Sequence, residues 1–187
     1  MRKIIILILF VAYYNSYVAQ TSTEIKKQID MSSFGLGMGL DYGGIGINYT
    51  TYLQKNIGLF GGIGYSLFEA SFNVGLKGRL ISKGNPPTIN PFFTGMYGKN
   101  SFVYIKNVTE FNKSFKGISV GGGLDIYLGR KKNGYWTFAL LLPFDNSKQE
   151  EYINYLEQRY GARFRKNNDL VLFISIGYKI VLHKRNI

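Results

Sequence analysis

The chain has 187 residues and a formal net charge of +12, and it contains 23 glycines, 15 tyrosines, 14 phenylalanines and no cysteine. This length suits a single domain and is too short for two comfortable ones. The absence of cysteine excludes disulfides, thiolate metal sites, a cysteine nucleophile and a lipid-modified N-terminal cysteine.

The N-terminal residues have the pattern of a secretory signal peptide. Arg2 and Lys3 precede an apolar run at residues 4–12. This run is too short to cross a bilayer as a helix, and the small residue Ala19 offers a cleavage point after it. We therefore predict a signal peptide at residues 1–19. For an exported protein, the positive charge favours phosphate-bearing lipid or polysaccharide over nucleic acid as the partner, with solvated loop lysines as the alternative.

The apolar pattern of the remaining chain has a period of two, which is the period of a β-strand. From Phe34 to Tyr42, for example, every second residue is large and apolar, and the residues between them are glycines and Asp41. The sequence predicts eight strands of this kind. They cover residues 33–43, 44–54, 58–67, 70–80, 90–98, 117–128, 135–142 and 171–182. The alternation does not reveal which face of the fifth strand is apolar.

The second face of these strands is rich in glycine and carries only scattered charges. A strand face in water normally carries Lys, Glu and Thr and avoids glycine. Small residues instead suit the narrow interior of an eight-stranded barrel. We therefore predict an all-β, eight-stranded, antiparallel up-and-down transmembrane barrel at residues 32–187, preceded by a polar segment at residues 20–31. Its large apolar residues would then face lipid.

Charged residues on the glycine-rich face are predicted to form a network inside the lumen. An unpaired charge in such an interior is costly, whereas a paired and hydrogen-bonded one is tolerable. The carboxylates Asp41 and Asp125 are therefore expected to pair with cationic residues. The predicted network consists of Asp41, Lys77, Arg79, Asp125 and Lys179.

The two longest predicted links, residues 99–114 and 145–169, fall at the outer end if the chain starts in the periplasm. The second link contains Ser147 and Glu150 in a capping-box pattern ahead of an apolar helical face. We predict a short helix there that folds back on the barrel rim, with partner binding as the alternative. Basic residues predicted to contact envelope lipid or an external partner at this end are Lys106, Lys113, Arg159, Arg163, Arg165 and Lys166.

Three segments carry a resemblance to a known family. Residues 57–65 read Ile-Gly-Leu-Phe-Gly-Gly-Ile-Gly-Tyr, residues 174–179 read Ile-Ser-Ile-Gly-Tyr-Lys, and residues 18–20 read Val-Ala-Gln. With most of the chain after residue 19, they resemble the small outer-membrane β-barrel proteins common in the Bacteroidota. The resemblance implies an outer-membrane location, insertion by the barrel insertion machinery, and contact with outer-membrane lipid and lipopolysaccharide. It implies no particular activity.

No catalytic constellation is found in the sequence. Enzymes of similar size on this scaffold, such as lipid A deacylases and acyltransferases, work through a Ser or His near the outer leaflet. The single histidine, His183, follows the last predicted strand at the periplasmic end, so no Ser/His pair can face the outer leaflet. Phosphate-loop and dinucleotide fingerprints are also missing. We predict no enzyme, no metal and no cofactor.

Three functional hypotheses remain, because a fold alone does not determine a function. The first is a structural or binding barrel of the cell envelope that acts through its outer loops. The second is a narrow, porin-like transport pore, although aqueous channels usually come with wider barrels. The third is a soluble lipocalin-like carrier, whose large apolar residues would have to point inward around a ligand.

Overall fold

The computed structural model describes residues 28–66, 69–81, 88–103, 105, 108–129, 131–144, 147–161 and 172–186. The predicted signal peptide, residues 1–19, lies outside them. Within these ranges the strands are β1 (Gln28–Gly39), β2 (Gly44–Tyr52), β3 (Ile57–Ser66), β4 (Glu69–Arg79), β5 (Ile89–Val103), β6 (Lys113–Leu128), β7 (Gly134–Pro143) and β8 (Phe173–Asn186). One helix, α1 (Ser147–Tyr160), and two short 3-10 turns (Leu40–Tyr42 and Thr109–Phe111) complete the described elements.

The eight strands form a closed barrel in sequence order. Each strand pairs antiparallel with the next, and β8 pairs antiparallel with β1, where Phe34 lies opposite Ile180. Closure pairs the first strand with the last, so neither is an edge strand of the sheet. The predicted all-β, eight-stranded up-and-down barrel with a single helix before the last strand is confirmed. We call the end that holds Gln28 and Asn186 the terminal end, and the end that holds α1 the helix end.

The first and last strands are longer than their patterns indicated. β1 begins at Gln28, inside the polar segment predicted at residues 20–31, and β8 continues to Asn186. His183 therefore lies within β8, opposite Ser32, and does not follow the last strand. The pairing of β1 with β8 shifts register twice between Asp30 and Ser33. Such bulges interrupt the alternation of side chains, which is why the period of two was not visible there.

The largest departure from prediction is at the helix end of β1. The alternation predicted that Leu40 and Tyr42 face lipid, but the strand ends at Gly39 and the three residues Leu40–Tyr42 form a 3-10 turn inside the barrel. We call this segment the inward turn. The backbone φ angles are positive at Gly39 (143°), Gly43 (68°) and Gly44 (104°). Only glycine adopts such angles readily, so the chain can reverse direction within a few residues.

The structure also decides the orientation of the fifth strand. Phe92, Thr94 and Met96 are buried inside the barrel, while Phe93 and Tyr97 are exposed on its outer surface. Both faces of this strand carry large residues. The period of two alone therefore could not assign them.

The helix α1 packs on a hairpin that rises above the barrel rim. β5 pairs with β4 as far as Gly98, but its pairing with β6 continues to Val103. Leu156 of α1 is buried with Val103 and Phe115 of this extension, and the Tyr152 hydroxyl donates a hydrogen bond of 3.1 Å to the Phe111 carbonyl. The helix thus folds back on the rim. No helix in the described part of the chain is long and apolar enough to cross a membrane.

Candidate functional site

Large apolar side chains cover the outside of the barrel on all eight strands. We call this surface the apolar belt. Its members include Phe34, Leu36, Met38, Ile45, Ile47, Tyr49, Leu59, Ile63, Tyr65, Phe72, Val74, Leu76, Phe93, Tyr97, Ile118, Val120, Leu124, Trp136, Phe138, Leu140, Ile174, Tyr178 and Ile180. Monomeric proteins in water rarely expose a contiguous apolar patch beyond a few hundred Å². The apolar belt is therefore unusual for a monomer in water.

The lumen, in contrast, holds ionic and polar side chains. At the terminal end, an Arg79 guanidinium nitrogen lies 2.6 Å from an Asp30 carboxylate oxygen. Arg79 also donates hydrogen bonds to the backbone carbonyls of Asp30 (2.7 Å) and Lys55 (3.0 Å), and its guanidinium stacks on the Tyr52 ring at 3.4 Å. The Tyr127 hydroxyl donates a further hydrogen bond of 2.7 Å to the Asp30 carboxylate. The charges of this layer are thus paired and hydrogen-bonded.

A second ion pair lies deeper in the lumen. The Lys77 ammonium is 2.9 Å and 2.7 Å from the two carboxylate oxygens of Asp125. The Lys77 side chain is 4% exposed and the Asp125 side chain 0%. The ammonium also lies 3.7 Å from the centre of the Phe92 ring. Because water is excluded from both partners, each depends on the other for its stabilisation.

Lys179 and Asp41 complete the set of lumen residues predicted from the sequence. The Lys179 ammonium donates hydrogen bonds to the Asn48 side-chain oxygen (2.6 Å) and the Thr50 hydroxyl (2.8 Å). The Asp41 carboxylate accepts a hydrogen bond from the Ser175 hydroxyl. The five predicted residues therefore share the lumen, although only two of them, Lys77 and Asp125, form an ion pair with each other.

The sequence reasoning missed the partner of Arg79. It placed Asp30 in the polar segment at residues 20–31, before the barrel, whereas the structure places Asp30 in β1, buried against Arg79. A chemical argument could have identified this partner from the sequence. A buried arginine on β4 requires an acceptor, and Asp30 is the nearest acidic residue before the alternating pattern of β1.

Side chains of the strands hold the inward turn in place. Asn48 donates a hydrogen bond of 2.6 Å to the Asp41 carbonyl, Asn73 donates one to the Leu40 carbonyl, and the Ser71 hydroxyl donates one of 2.5 Å to the Gly43 carbonyl. These bonds satisfy backbone carbonyls that have left the sheet, as buried backbone groups require. The turn is therefore an ordered part of the lumen.

The inward turn also explains part of the glycine-rich face. The Tyr42 ring is fully buried, and a Cβ atom at Gly37 would lie 2.6 Å from it. Gly177 approaches the same ring from β8. Side chains at these two positions would occupy the volume of the ring. Glycine here provides space for a plug made by the chain itself.

On the side of this plug that faces the terminal end, buried side chains fill the lumen. Phe60, Phe92, Met96, Ala139 and Leu141 form an apolar cluster inside the barrel, against which Leu40 of the inward turn packs. The cavity between this cluster and Lys77, Asp41 and Lys179 has a volume of only about 10 Å³. A single water molecule needs roughly that much space. The described part of the lumen has no open passage at this level.

We expect Gly177→Ala to lower the free energy of unfolding by about 1–3 kcal/mol, the usual cost of overpacking a filled core. Its Cβ atom would overlap the Tyr42 hydroxyl and lie 2.8 Å from the Leu36 carbonyl. Urea unfolding of the lipid-reconstituted protein, followed by tryptophan fluorescence, measures the change. Gly95→Ala is the matched control, because a Cβ atom there meets nothing within 4 Å.

The Tyr42→Phe background tests the same contact from the other side. The Tyr42 hydroxyl is buried and has no hydrogen-bond partner among the described residues, so its removal is expected to cost little. In this background Gly177→Ala should lose part of its destabilising effect. Equal losses for Gly177→Ala in the two backgrounds would contradict the packing of Tyr42 against β8.

The basic residues predicted at the outer loops are only partly described. Lys113 is exposed at the start of β6, with its ammonium 4.8 Å from the centre of the Tyr152 ring. Arg159 is exposed in the last turn of α1. Both lie at the helix end. The remaining four, Lys106, Arg163, Arg165 and Lys166, lie outside the described residues.

Neither a metal centre nor a related protein assigns a function to this barrel. No group of three or more His, Asp or Glu side chains in the described ranges could hold a metal ion. Comparisons of the chain with models of protein families, with characterised proteins and with solved structures found no match. The function has to be argued from the residues themselves.

Proposed function

We propose that the protein is an outer-membrane β-barrel with a filled lumen, which serves a structural or binding role through its helix end and catalyses no reaction. One observation carries this proposal: the distribution of side chains is inverted relative to a protein in water. The apolar belt faces outward on every strand, while Arg79, Lys77 and Lys179 are buried inside with their polar partners. Lipid is the environment that stabilises such a surface.

The height of the apolar belt suits a membrane. Along β8 the outward row runs from Ile174 to Leu182. At roughly 3.3 Å per residue this row is about 26 Å long. With the strand tilt of roughly 35–45° that barrels of this kind have, its height along the barrel axis is about 20 Å. That height is comparable with the roughly 25 Å apolar band of outer-membrane barrels.

The lengths of the links support an orientation with the helix end outside. Membrane barrels have short periplasmic turns and longer outer loops. The terminal end carries the links at residues 53–56, 80–88 and 129–133, and the helix end carries the longest link, which contains α1. In this orientation Lys113 and Arg159 face the exterior, where the phosphates of lipopolysaccharide supply a counter-charge. Export by the predicted signal peptide and insertion by the barrel machinery belong to the same proposal.

The two alternatives from the sequence have less support. A narrow transport pore requires a continuous passage, but the inward turn and the apolar cluster fill the described lumen. A soluble lipocalin-like carrier requires the large apolar residues to point inward, but Leu36, Ile45 and Ile174 are among the most exposed residues of the barrel. The carrier hypothesis would leave the whole apolar belt in water.

The single tryptophan of the chain provides a direct test. Trp136 lies on the outer face of β7, 40% exposed, with its ring centre 5.4 Å from that of Tyr178. We expect its fluorescence in reconstituted protein to be quenched by phosphatidylcholine brominated on its acyl chains, and to be protected from aqueous iodide. A gel band that shifts on boiling, together with a β-rich circular dichroism spectrum, checks that the barrel has folded.

Tyr178→Trp in a Trp136→Phe background is the matched control, because it moves the reporter to the neighbouring strand of the same belt. It should show the same quenching. A folded protein that stays in solution without detergent, with Trp136 accessible to iodide and insensitive to brominated lipid, would contradict the membrane proposal. The carrier would then become the leading hypothesis.

A further inference from the structure

The mouth of the barrel at the helix end contains a cavity of about 220 Å³. The inward turn forms its floor through Leu40, and Phe102 of β5 and Phe173 of β8 contribute to its walls. Most of its lining surface is apolar. An apolar cavity of about 150 Å³ can hold benzene, so a cavity of this size has room for an alkyl chain of roughly six to eight carbons. Apolar material of that size fits the cavity.

The cavity also contains one buried cation. Lys99 of β5 is 4% exposed and lines the cavity. Its ammonium donates a hydrogen bond of 3.3 Å to the Ser66 carbonyl and lies 3.5 Å from a carboxylate oxygen of Glu69. The Glu69 side chain is 43% exposed, in contrast to 5% for that of Lys99. Glu69 can therefore turn into solvent while the ammonium remains at the cavity wall.

The cavity lies at the end of the strands that carry the apolar belt. It lies at the helix end of the strands, where Gly39 and Ser66, the last residues of β1 and β3, line it. In the proposed orientation this is the level of the outer membrane surface. An amphiphile at that surface would therefore lie close to the end of the barrel that holds the cavity.

We propose that this cavity binds a small amphiphile consisting of an anionic head group and a medium-length alkyl chain. The chain occupies the apolar space above the inward turn, and the carboxylate or phosphate accepts a charge-assisted hydrogen bond from Lys99 in place of Glu69. A cationic head group would be repelled by the Lys99 ammonium, and a neutral one would gain no hydrogen bond between opposite charges. The inference deepens the proposed binding role and rests on it for the orientation of the helix end.

Titration calorimetry in phosphatidylcholine bilayer discs tests the proposal, with discs that lack protein as the blank. The probes are sodium octanoate, octan-1-ol and octylamine, which share one chain length and differ in charge. We expect saturable binding of octanoate, and weaker or absent binding of the other two. Lys99→Met should lower the affinity for octanoate about 10- to 100-fold, as loss of a hydrogen bond to a charged group predicts.

Two further variants separate the site from the fold. Ser101 lines the cavity and is buried, so Ser101→Leu should fill it and abolish octanoate binding. Lys116→Met removes an exposed lysine from the outer face of β6 and should leave octanoate binding unchanged. Each variant is accepted only if its gel band still shifts on boiling. Equal binding of the three probes, or wild-type affinity for octanoate in either Lys99→Met or Ser101→Leu, would overturn the proposal.

The source of the amphiphile is decided by repeating the titration in discs that contain anionic phosphatidylglycerol. An unchanged affinity for octanoate supports a free amphiphile as the ligand. A lower affinity in the discs with phosphatidylglycerol supports the same site with a membrane lipid as the competing ligand, provided that Lys99→Met shows no such difference between the two kinds of disc. The failure of this inference is distinguishable from failure of the proposed function. Absence of octanoate binding in a protein whose Trp136 is quenched by brominated lipid overturns the cavity ligand and leaves the membrane barrel standing.

Discussion

Replacing Leu36 with arginine is expected to lower the free energy of unfolding in a bilayer by about 2–4 kcal/mol, the cost of a cation near the bilayer midplane on the outer face of a barrel. Leu36 is 65% exposed and lies half-way along the outward row of β1, between Phe34 and Met38. Its neighbours across the sheet are Ile47 and Tyr178. Urea unfolding in phosphatidylcholine vesicles, followed by the fluorescence of Trp136, measures the loss.

Leu53→Arg is the matched control for this prediction. Leu53 is 64% exposed, almost the same as Leu36, but it lies in the link after β2 at the terminal end of the barrel. An arginine at the membrane interface costs only about 0–1 kcal/mol. In a water-soluble barrel both substitutions would fall within about 0.5 kcal/mol of zero, as surface changes usually do. Two equally small effects would therefore contradict the lipid environment of the apolar belt.

Replacing Lys77 with methionine is expected to lower the free energy of unfolding by about 3–5 kcal/mol, because it leaves a buried carboxylate without its partner. Asp125 is fully buried and faces the Lys77 ammonium with both carboxylate oxygens. Methionine preserves most of the volume beside Phe92. The loss of stability therefore reports the unpaired charge of Asp125 and not the creation of a cavity. The same urea titration reports it.

The double variant Lys77→Met with Asp125→Asn tests the cause. If the cost comes from the uncompensated charge, removing that charge should recover most of the stability, since neutral replacements of buried pairs are often tolerated. Lys55→Met, at an exposed lysine in the link after β2, should change stability by no more than about 0.5 kcal/mol. A single variant as stable as the wild type, or a double variant no better than Lys77→Met, would argue against a structural role for the pair.

Because side chains fill the middle of the described lumen, contact with a ligand or partner is expected at the ends of the barrel. The Arg79–Asp30 pair lies at the terminal end, the Lys77–Asp125 pair lies deeper in the lumen, and the inward turn lies near the helix end. The cavity beside Lys77 and Asp41 is water-sized. The substrate of a channel would have to pass the ion pairs and the inward turn. A barrel closed in this way presents its ligand-sized space at the mouth, where Lys99 and the 220 Å³ cavity lie. The hairpin extension and α1 add a second exposed surface at the same end.

The sequence predicted which charged residues face the lumen, but it did not predict all of their partners. The sequence identified Asp41, Lys77, Arg79, Asp125 and Lys179 as inward-facing because each falls on the glycine-rich face of its strand. Pairing depends on the relative stagger of strands that are distant in the chain. Lys77 and Asp125 are 48 residues apart, and Arg79 and Asp30 are 49 apart. The alignment of such distant strands cannot be predicted from the local sequence pattern of either one.

The sequence by itself determined the class of fold, because the period of two and the glycine-rich second face are local properties of each strand. It also predicted the helix, whose capping residue Ser147 is the first residue of α1. Only the tertiary structure decided the path of the chain after Gly39. Leu40 and Tyr42 continue the alternation of β1, and their inward position depends on the space left by Gly37 and Gly177 and on hydrogen bonds from β2 and β4. The same contacts create the floor of the cavity beside Lys99, so the candidate binding site arises from packing between strands and is absent from any single segment of the sequence.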